Sequence, residues 1–535
     1  MVKESASRGF AILSIAGILS KILSVLYVPI LQGIIGIDGY GIYQQTYEIF
    51  VFLYAVLNVG MQTAIAKYVS ELSALGNNKA ALRTFRLSRT ILTLFGLILT
   101  GLLIISAKFI STASESPDIY IGLIYLAPAI AITSTLCAYR GYYQGKNLMT
   151  PLAVSQLLEQ LFNVVVSLIF AKILMKYGVQ YGSAGGTIGT SIGALLAVFY
   201  LMYFAGASGI YNYVKNTSEC KKTISGKKIV KQLLIYGFPI TLSAGLQNFG
   251  AVVDMFNVKS RLLYAGFSNY ESNMLYGVLN FYKTLIYVPL IVIFALSTTV
   301  VPDVSQALVL GDRKAIKEKI LSSLRISFII SIPAALGLSV LSYEIYKVLF
   351  GTDLGYKLML YGSCVVVFMS IVKIQSTVLQ SINEFYFVVF SLAVGIVLKI
   401  GSNFILVGNR EININGAVVS GILCFLVPSI LNHSKMCKTL KIKFSLFGLT
   451  IKPLISSIIM AAATLLIKYI LFSMTGIIKM GRFVNIIPLM LTIACAGAVY
   501  LYSMIRIGGI TKHDIESISP RLIKKLPSFM KKNLK

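Results

Sequence analysis

With 56% hydrophobic residues and only 13% charged ones among 535, the chain cannot be an ordinary soluble domain. Its charge is lopsided, 48 Lys and Arg against 19 Asp and Glu for a net +29. In so apolar a chain, retention of basic residues on the cytoplasmic side produces such an excess, and nucleic acid is not needed to explain it.

Apolar runs of about 20 residues, the length that crosses a bilayer, are centred near Ala16, Leu57, Gly101, Ala131, Val165, Leu195, Ala244, Val292, Ile332, Val366, Val394, Ile422, Ala461 and Ala494. They predict an all-α polytopic membrane protein with about 14 transmembrane helices. In the first span Ser14, Gly17, Lys21 and Ser24 fall on one helical face. The second span carries Gln45 and Glu48, and the fifth has a polar ridge of Ser155, Glu159, Asn163 and Ser167 at four-residue intervals. The turn before the fifth, Arg140 to Gly145, reads as a short cytoplasmic loop with Gly141 and Gly145 allowing a tight reversal. The seventh span is the weakest, because Gln247, Asn248 and Asp254 interrupt it; Asp254 shares a face with Arg261, expected at the external mouth. Lys283, Lys373 and Lys399 lie within the eighth, tenth and eleventh spans.

A repeat organises these elements. Val69, Ser70, Leu75, Gly76, Lys79 and Ala80 recur 235 positions later as Val304, Ser305, Leu310, Gly311, Lys314 and Ala315. An offset of 236 carries the fifth-span ridge to Ser391, Gly395, Lys399 and Asn403, and an offset of 235 sets Glu48 on Lys283. Duplicated membrane halves are a transporter signature. The expected layout is an N-terminal six-helix lobe (1–210), a basic cytoplasmic linker (211–231), a pseudo-symmetric six-helix lobe (232–435), two additional helices (436–510) and a basic cytoplasmic tail (511–535). On this layout the first half offers carboxylates and the second offers amines to surfaces facing each other across the pseudo-twofold axis.

Both termini are expected in the cytoplasm of a multi-pass cell-membrane protein, since 33 of the 48 basic side chains then lie inside and 11 outside. No Walker A loop occurs, and the only histidines are His433 and His513. The six cysteines are scattered without a CxxC pair, so no disulfide, zinc, other metal or cofactor is expected. With no connecting loop long enough for a catalytic domain, the chain reads as a transporter and not an enzyme.

Charges inside a membrane are costly and normally face a cavity or a partner. The candidate cavity cations are Lys21, Lys283, Lys399 and Arg261; the candidate cavity acids or ion-coupling groups are Glu48, Glu159 and Asp254. For Glu48 and Glu159 a structural ion pair, such as Glu159 with Lys399, explains burial as well as a direct role does. The same holds for Lys373 as a helix-packing residue. The cationic surplus suits an anionic substrate.

The stretches Arg8-Gly9, Ser20-Lys21, Gly36 to Gln44, Val69-Ser70-Glu71, Arg140-Gly141-Tyr142-Tyr143-Gln144-Gly145, Met149-Thr150-Pro151 and Ser155-Gln156 with Glu159-Gln160 resemble the stage V sporulation protein B group. That group belongs to the polysaccharide-exporter branch of the multidrug/oligosaccharidyl-lipid/polysaccharide flippase superfamily and is similar to MurJ-type lipid II flippases. The chain departs from the family pattern at Met61, often Pro, and at Asn163, often Arg. The resemblance implies two lobes around a cavity, with the last two helices forming a groove for a polyprenyl tail. It implies a flippase that moves a lipid-linked peptidoglycan precursor outward by alternating access, for cell wall or spore cortex synthesis. The implied partners are the anionic glycan lipid, the bilayer, a coupling ion and cell-wall synthesis proteins. The alternatives are an ion-coupled multidrug exporter, a flippase for another polysaccharide lipid, or a noncatalytic scaffold.

Overall fold

The computed structural model describes residues 6–207, 224–309, 313–441, 445–477 and 485–509. All regular structure among them is helical, as a bilayer demands of backbone that must satisfy its own hydrogen bonds. The α-helices are α1 (Ala6–Tyr54), α2 (Gly60–Ala74), α3 (Asn78–Ala113), α4 (Tyr120–Leu126), α5 (Pro128–Gly145), α6 (Met149–Leu174) and α7 (Val179–Ala207). They continue as α8 (Gly226–Tyr264), α9 (Asn269–Val309), α10 (Arg313–Val340), α11 (Ser342–Leu349), α12 (Tyr356–Gly362) and α13 (Val365–Ser381). The last four are α14 (Phe385–Leu406), α15 (Asn415–Leu440), α16 (Leu446–Ile477) and α17 (Ile486–Arg506).

Twelve helical stretches are long and apolar enough to span a membrane, and the pair α12–α13, bent by 51°, adds a thirteenth. The first stretch, Ile15–Ala74, has 60 residues. A straight helix of that length would be about 90 Å long, three times the hydrocarbon core. Gly36 breaks it at φ 79° and ψ 175°. The rings of Tyr27 and Tyr43 lie 6.1 Å apart, whereas a straight helix would separate them by about 24 Å. The chain therefore doubles back at Gly36, and the stretch supplies two crossings, which restores the expected fourteen.

The duplication is visible in the helix boundaries. The end of α2 at Ala74 and start of α3 at Asn78 recur 235 residues on, as the end of α9 at Val309 and start of α10 at Arg313. The end of α5 and the starts of α6 and α7 recur 236 residues on, at Ser381, Phe385 and Asn415. Leu310 and Gly311 of the second sequence copy lie outside the described residues, as do most of the basic linker and the whole of the tail at 511–535.

The chain forms two compact units, one of Met1–Asn280 with Ile400–Ile414 and one of Phe281–Lys399 with Asn415–Lys535. In the first, Ile65, Val69, Phe85, Tyr139, Tyr143 and Leu201 join α2, α3, α5 and α7 in a buried cluster. Gly185, Gly189 and Gly193 let α7 lie directly on the backbone of α6: a Cβ at these positions would stand 2.6 Å from Phe170 O, 2.2 Å from Asn163 O and 2.4 Å from Glu159 O. This small-residue ridge, the usual device of close membrane-helix crossings, sets the position of Glu159. In the second unit Met460, Ala496, Tyr500 and Met504 pack α16 on α17, and Lys468 of α16 pairs with Glu344 of α11 at 2.8 Å.

Candidate functional site

Beyond Gly36, α1 presents an aromatic ladder. Tyr40, Tyr43, Tyr47, Phe50 and Tyr54 follow at three- and four-residue steps, with successive ring centroids 6.0, 5.5, 5.7 and 6.0 Å apart. Glu48 lies on the same helix, is buried, and accepts a hydrogen bond from the Tyr276 hydroxyl. Gln45 is fully buried and donates to Asn273 Oδ1 at 3.3 Å. A π-helical turn at Ala55–Val59 follows, in which buried Asn58 donates to Thr133 at 3.4 Å. Such turns inside helices interrupt the regular ladder and recur at functional sites.

The Arg140 to Gly145 stretch is not the loop that its glycines suggested; it is the last part of α5. The reversal falls at Lys146 to Leu148, where Asn147 takes φ 57°. Gly141 and Gly145 instead bring α5 onto α2: a Cβ would lie 3.0 Å from Gln62 O at the first and 2.6 Å from Ala66 O at the second. Arg140 is 5% exposed. Its guanidinium donates to Glu159 Oε2 at 2.7 Å and, through Nε, to Ser155 Oγ at 3.1 Å. Glu159 thus has Arg140, a residue absent from the predicted site, as its ion-pair partner.

On α8, Asp254 is 1% exposed and accepts from Asn403 Nδ2 at 2.9 Å. Arg261 is half-buried and clamped: its Nε donates to Phe404 O at 3.0 Å, and its guanidinium lies 4.0 and 3.9 Å from the ring centroids of Tyr264 and Phe404. Between them Lys259 is wholly buried, and its Nζ makes no hydrogen bond. Asp118 and Glu115 act on it electrostatically. Lys259 was not among the predicted site residues; it lies in the last part of α8.

Lys21 is exposed and makes no hydrogen bond or ion pair among the described residues. Lys283 and Lys399 belong to the second unit, half-buried and buried respectively, and each is engaged by a neighbouring group. Lys373, also in that unit, sits over the Phe294 ring at 5.3 Å. The first unit therefore gathers Glu48, Glu159, Asp254 and Arg261 with fixed partners, and Lys21 without one.

Residues 6–308 match the family of polysaccharide biosynthesis proteins. Over 98% of both chains the protein is 24% identical to the lipid II flippase MurJ of Bacillus subtilis. It is 27% identical to the uncharacterized membrane protein YabM of that organism, over 98% of this chain and 96% of YabM. Identity to its stage V sporulation protein B is 24%, over 97% of this chain and 98% of the relative. Among solved structures, an inward closed conformation of MurJ aligns with a TM-score of 0.66 at 17% identity over 92% of this chain and 97% of that one. An inward-facing multidrug resistance transporter of the MATE family gives the same TM-score at 14% identity, over 79% of this chain and 95% of that one. With the family model covering more than half of its length, this multi-pass membrane protein belongs to the polysaccharide biosynthesis protein family.

Proposed function

We propose that the protein flips a lipid-linked anionic glycan of the lipid II type from the inner to the outer leaflet of the cytoplasmic membrane. The observation that carries this reading is the unequal state of the charges in the first unit. Its three candidate cavity acids are engaged, Glu48 by Tyr276, Glu159 by Arg140 and Asp254 by Asn403, while Lys21 stands in an apolar span with no partner among the described residues. A lone ammonium in a membrane span favours an anion that arrives and leaves. An exporter of cationic drugs calls for the opposite, an available carboxylate.

In this reading Lys21 receives the pyrophosphate, with Lys283 and Lys399 as further cations and Arg261 near the outer mouth, while the prenyl tail stays in lipid along α16 and α17. Both termini lie in the cytoplasm, by the distribution of Lys and Arg. An inside-negative potential assists outward movement of an uncompensated anion by about 2.3 kcal/mol per charge per 100 mV. Asp254, buried and accepting a hydrogen bond from Asn403, is the candidate for a coupling ion. Use in cell wall or spore cortex synthesis follows the names of the relatives.

The test is outer-leaflet exposure of lipid II, read with a membrane-impermeant probe in cells lacking other flippases and carrying wild type, Lys21→Ala or Lys399→Ala. Wild type should restore exposure and well-expressed lysine variants should not. Failure of the wild-type protein to restore exposure rejects lipid II as cargo.

A further inference from the structure

A pocket of about 400 Å³ opens in the first unit at the end where α1 reverses. On the proposed topology this is the outer side. Asp38 of α1, Asp118 and the Tyr177–Tyr181 link meet there with the first turn of α9. No Lys or Arg lines it; two carboxylates do, and the ammonium that acts on Asp118, that of Lys259, is buried outside the lining, so the pocket presents no cation to a phosphate. The floor is built rather than incidental. Asp118 accepts from three amides, Gln180 Nε2 at 2.5 Å, Asn269 Nδ2 at 3.0 Å and Asn273 Nδ2 at 3.3 Å, which fixes the orientation of all four side chains.

Asp38 is half-buried and has no hydrogen-bond or ion-pair partner among the described residues. It is an acceptor facing the pocket with its capacity unused. The rim is aromatic: Tyr177 and Tyr270 are 72% and 61% exposed, and Tyr177 packs edge-to-face with Tyr181 at 6.3 Å. Tyrosines that serve only as membrane-interface anchors turn an apolar face to lipid. These three surround carboxylates and amides, where neither an acyl chain nor a lipid phosphate gains from docking. Amides and a carboxylate to accept and donate to hydroxyls, beside aromatic faces for apolar C–H surfaces, are the recognition chemistry of a sugar ring.

We propose that this pocket binds the neutral sugar portion of a glycan headgroup, apart from its phosphates. The assignment rests on the transport reading only for its role, as a landing place for the head of the cargo on the outer side; binding itself can be read without transport. Purified full-length protein in nanodiscs would be titrated with N,N′-diacetylchitobiose and with its 1-phosphate, using saturation-transfer NMR. The expected result is saturable binding of the neutral disaccharide, weakened at least tenfold in Tyr177→Ala and in Asp38→Asn, and no tighter for the 1-phosphate. Tyr177 is largely exposed, so its variant should fold, and its melting profile would verify that. Absence of saturable binding, equal binding in the Tyr177→Ala and Asp38→Asn variants, or preference for the 1-phosphate would overturn the proposal. Failure of lipid II exposure in cells with chitobiose binding intact would reject the transport reading alone.

Discussion

The Arg140–Glu159 pair offers the sharpest test of whether a buried acid in this family member is architecture or machinery. At the observed 2.7 Å, Coulomb's law with an effective dielectric of about 20 gives a gross attraction of about 6 kcal/mol. Desolvation of both groups offsets much of it, yet removing one partner of such a pair costs about 3–5 kcal/mol, because the other charge stays buried and uncompensated. The Arg140 side chain is 6% exposed and that of Glu159 23%. Water reaches the carboxylate more readily, so Glu159→Ala, which strands the guanidinium, should cost more than Arg140→Met. The double variant Arg140→Met with Glu159→Leu should recover most of the loss, with a coupling of about 2–3 kcal/mol in the cycle. Unfolding in detergent can be followed with a thiol-reactive dye, because Cys137 and Cys424 are buried and become accessible on melting. Strictly additive single variants would refute the argument. So would variants that melt like wild type while losing transport, since the two groups would then be acting on a ligand and not on each other.

Gly189→Leu should separate α7 from α6, because a Cβ there would stand 2.2 Å from Asn163 O; overpacking of this kind costs about 1–3 kcal/mol, and unchanged melting would show that the crossing tolerates a side chain. Lys21→Ala should melt within about 0.5 kcal/mol of wild type, as expected for an exposed residue with no partner, while abolishing lipid II exposure; joint loss of fold and transport would make Lys21 structural. Asp254→Asn should leave folding nearly intact but remove any stimulation of transport by an ion gradient, and persistent stimulation would exclude Asp254 as the coupling site. Burial holds the Lys146 ammonium below its ordinary value of 10.5. The folded state therefore resists its charged form at low pH, and stability is regained as pH rises from the lowered value toward 10.5. Wild type should gain more stability than Lys146→Met across that window in melts at stepped alkaline pH, and equal gains would remove Lys146 as the cause.

Much of the fold was legible because lipid imposes a one-dimensional rule. A run of about 20 apolar residues must be a helix, and the repeat offsets read from a few residues near Val69 and Ser155 reappear as helix ends at Val309 and Ser381. What the linear rule could not reach was pairing across sequence. Tyr276 meets Glu48 over 228 residues and Asn403 meets Asp254 over 149, and no spacing pattern encodes such contacts. The Arg140–Glu159 pair was different, since its signal was present. In an antiparallel helix hairpin, residues at equal distances from the turn face each other; with the turn centred between Asn147 and Leu148, Arg140 lies opposite Ser155, and Glu159 follows one helical turn later. The glycines at 141 and 145 drew the turn too early and hid that register. Lys259 gave no such signal, because its burial and its electrostatic neighbours Asp118 and Glu115 come from packing between segments distant in sequence. Composition and periodicity thus locate the charged residues of a transporter. Which charges remain available to a substrate depends on the partners that the fold brings to each, and on that criterion Lys21 separates from Glu48, Glu159 and Asp254.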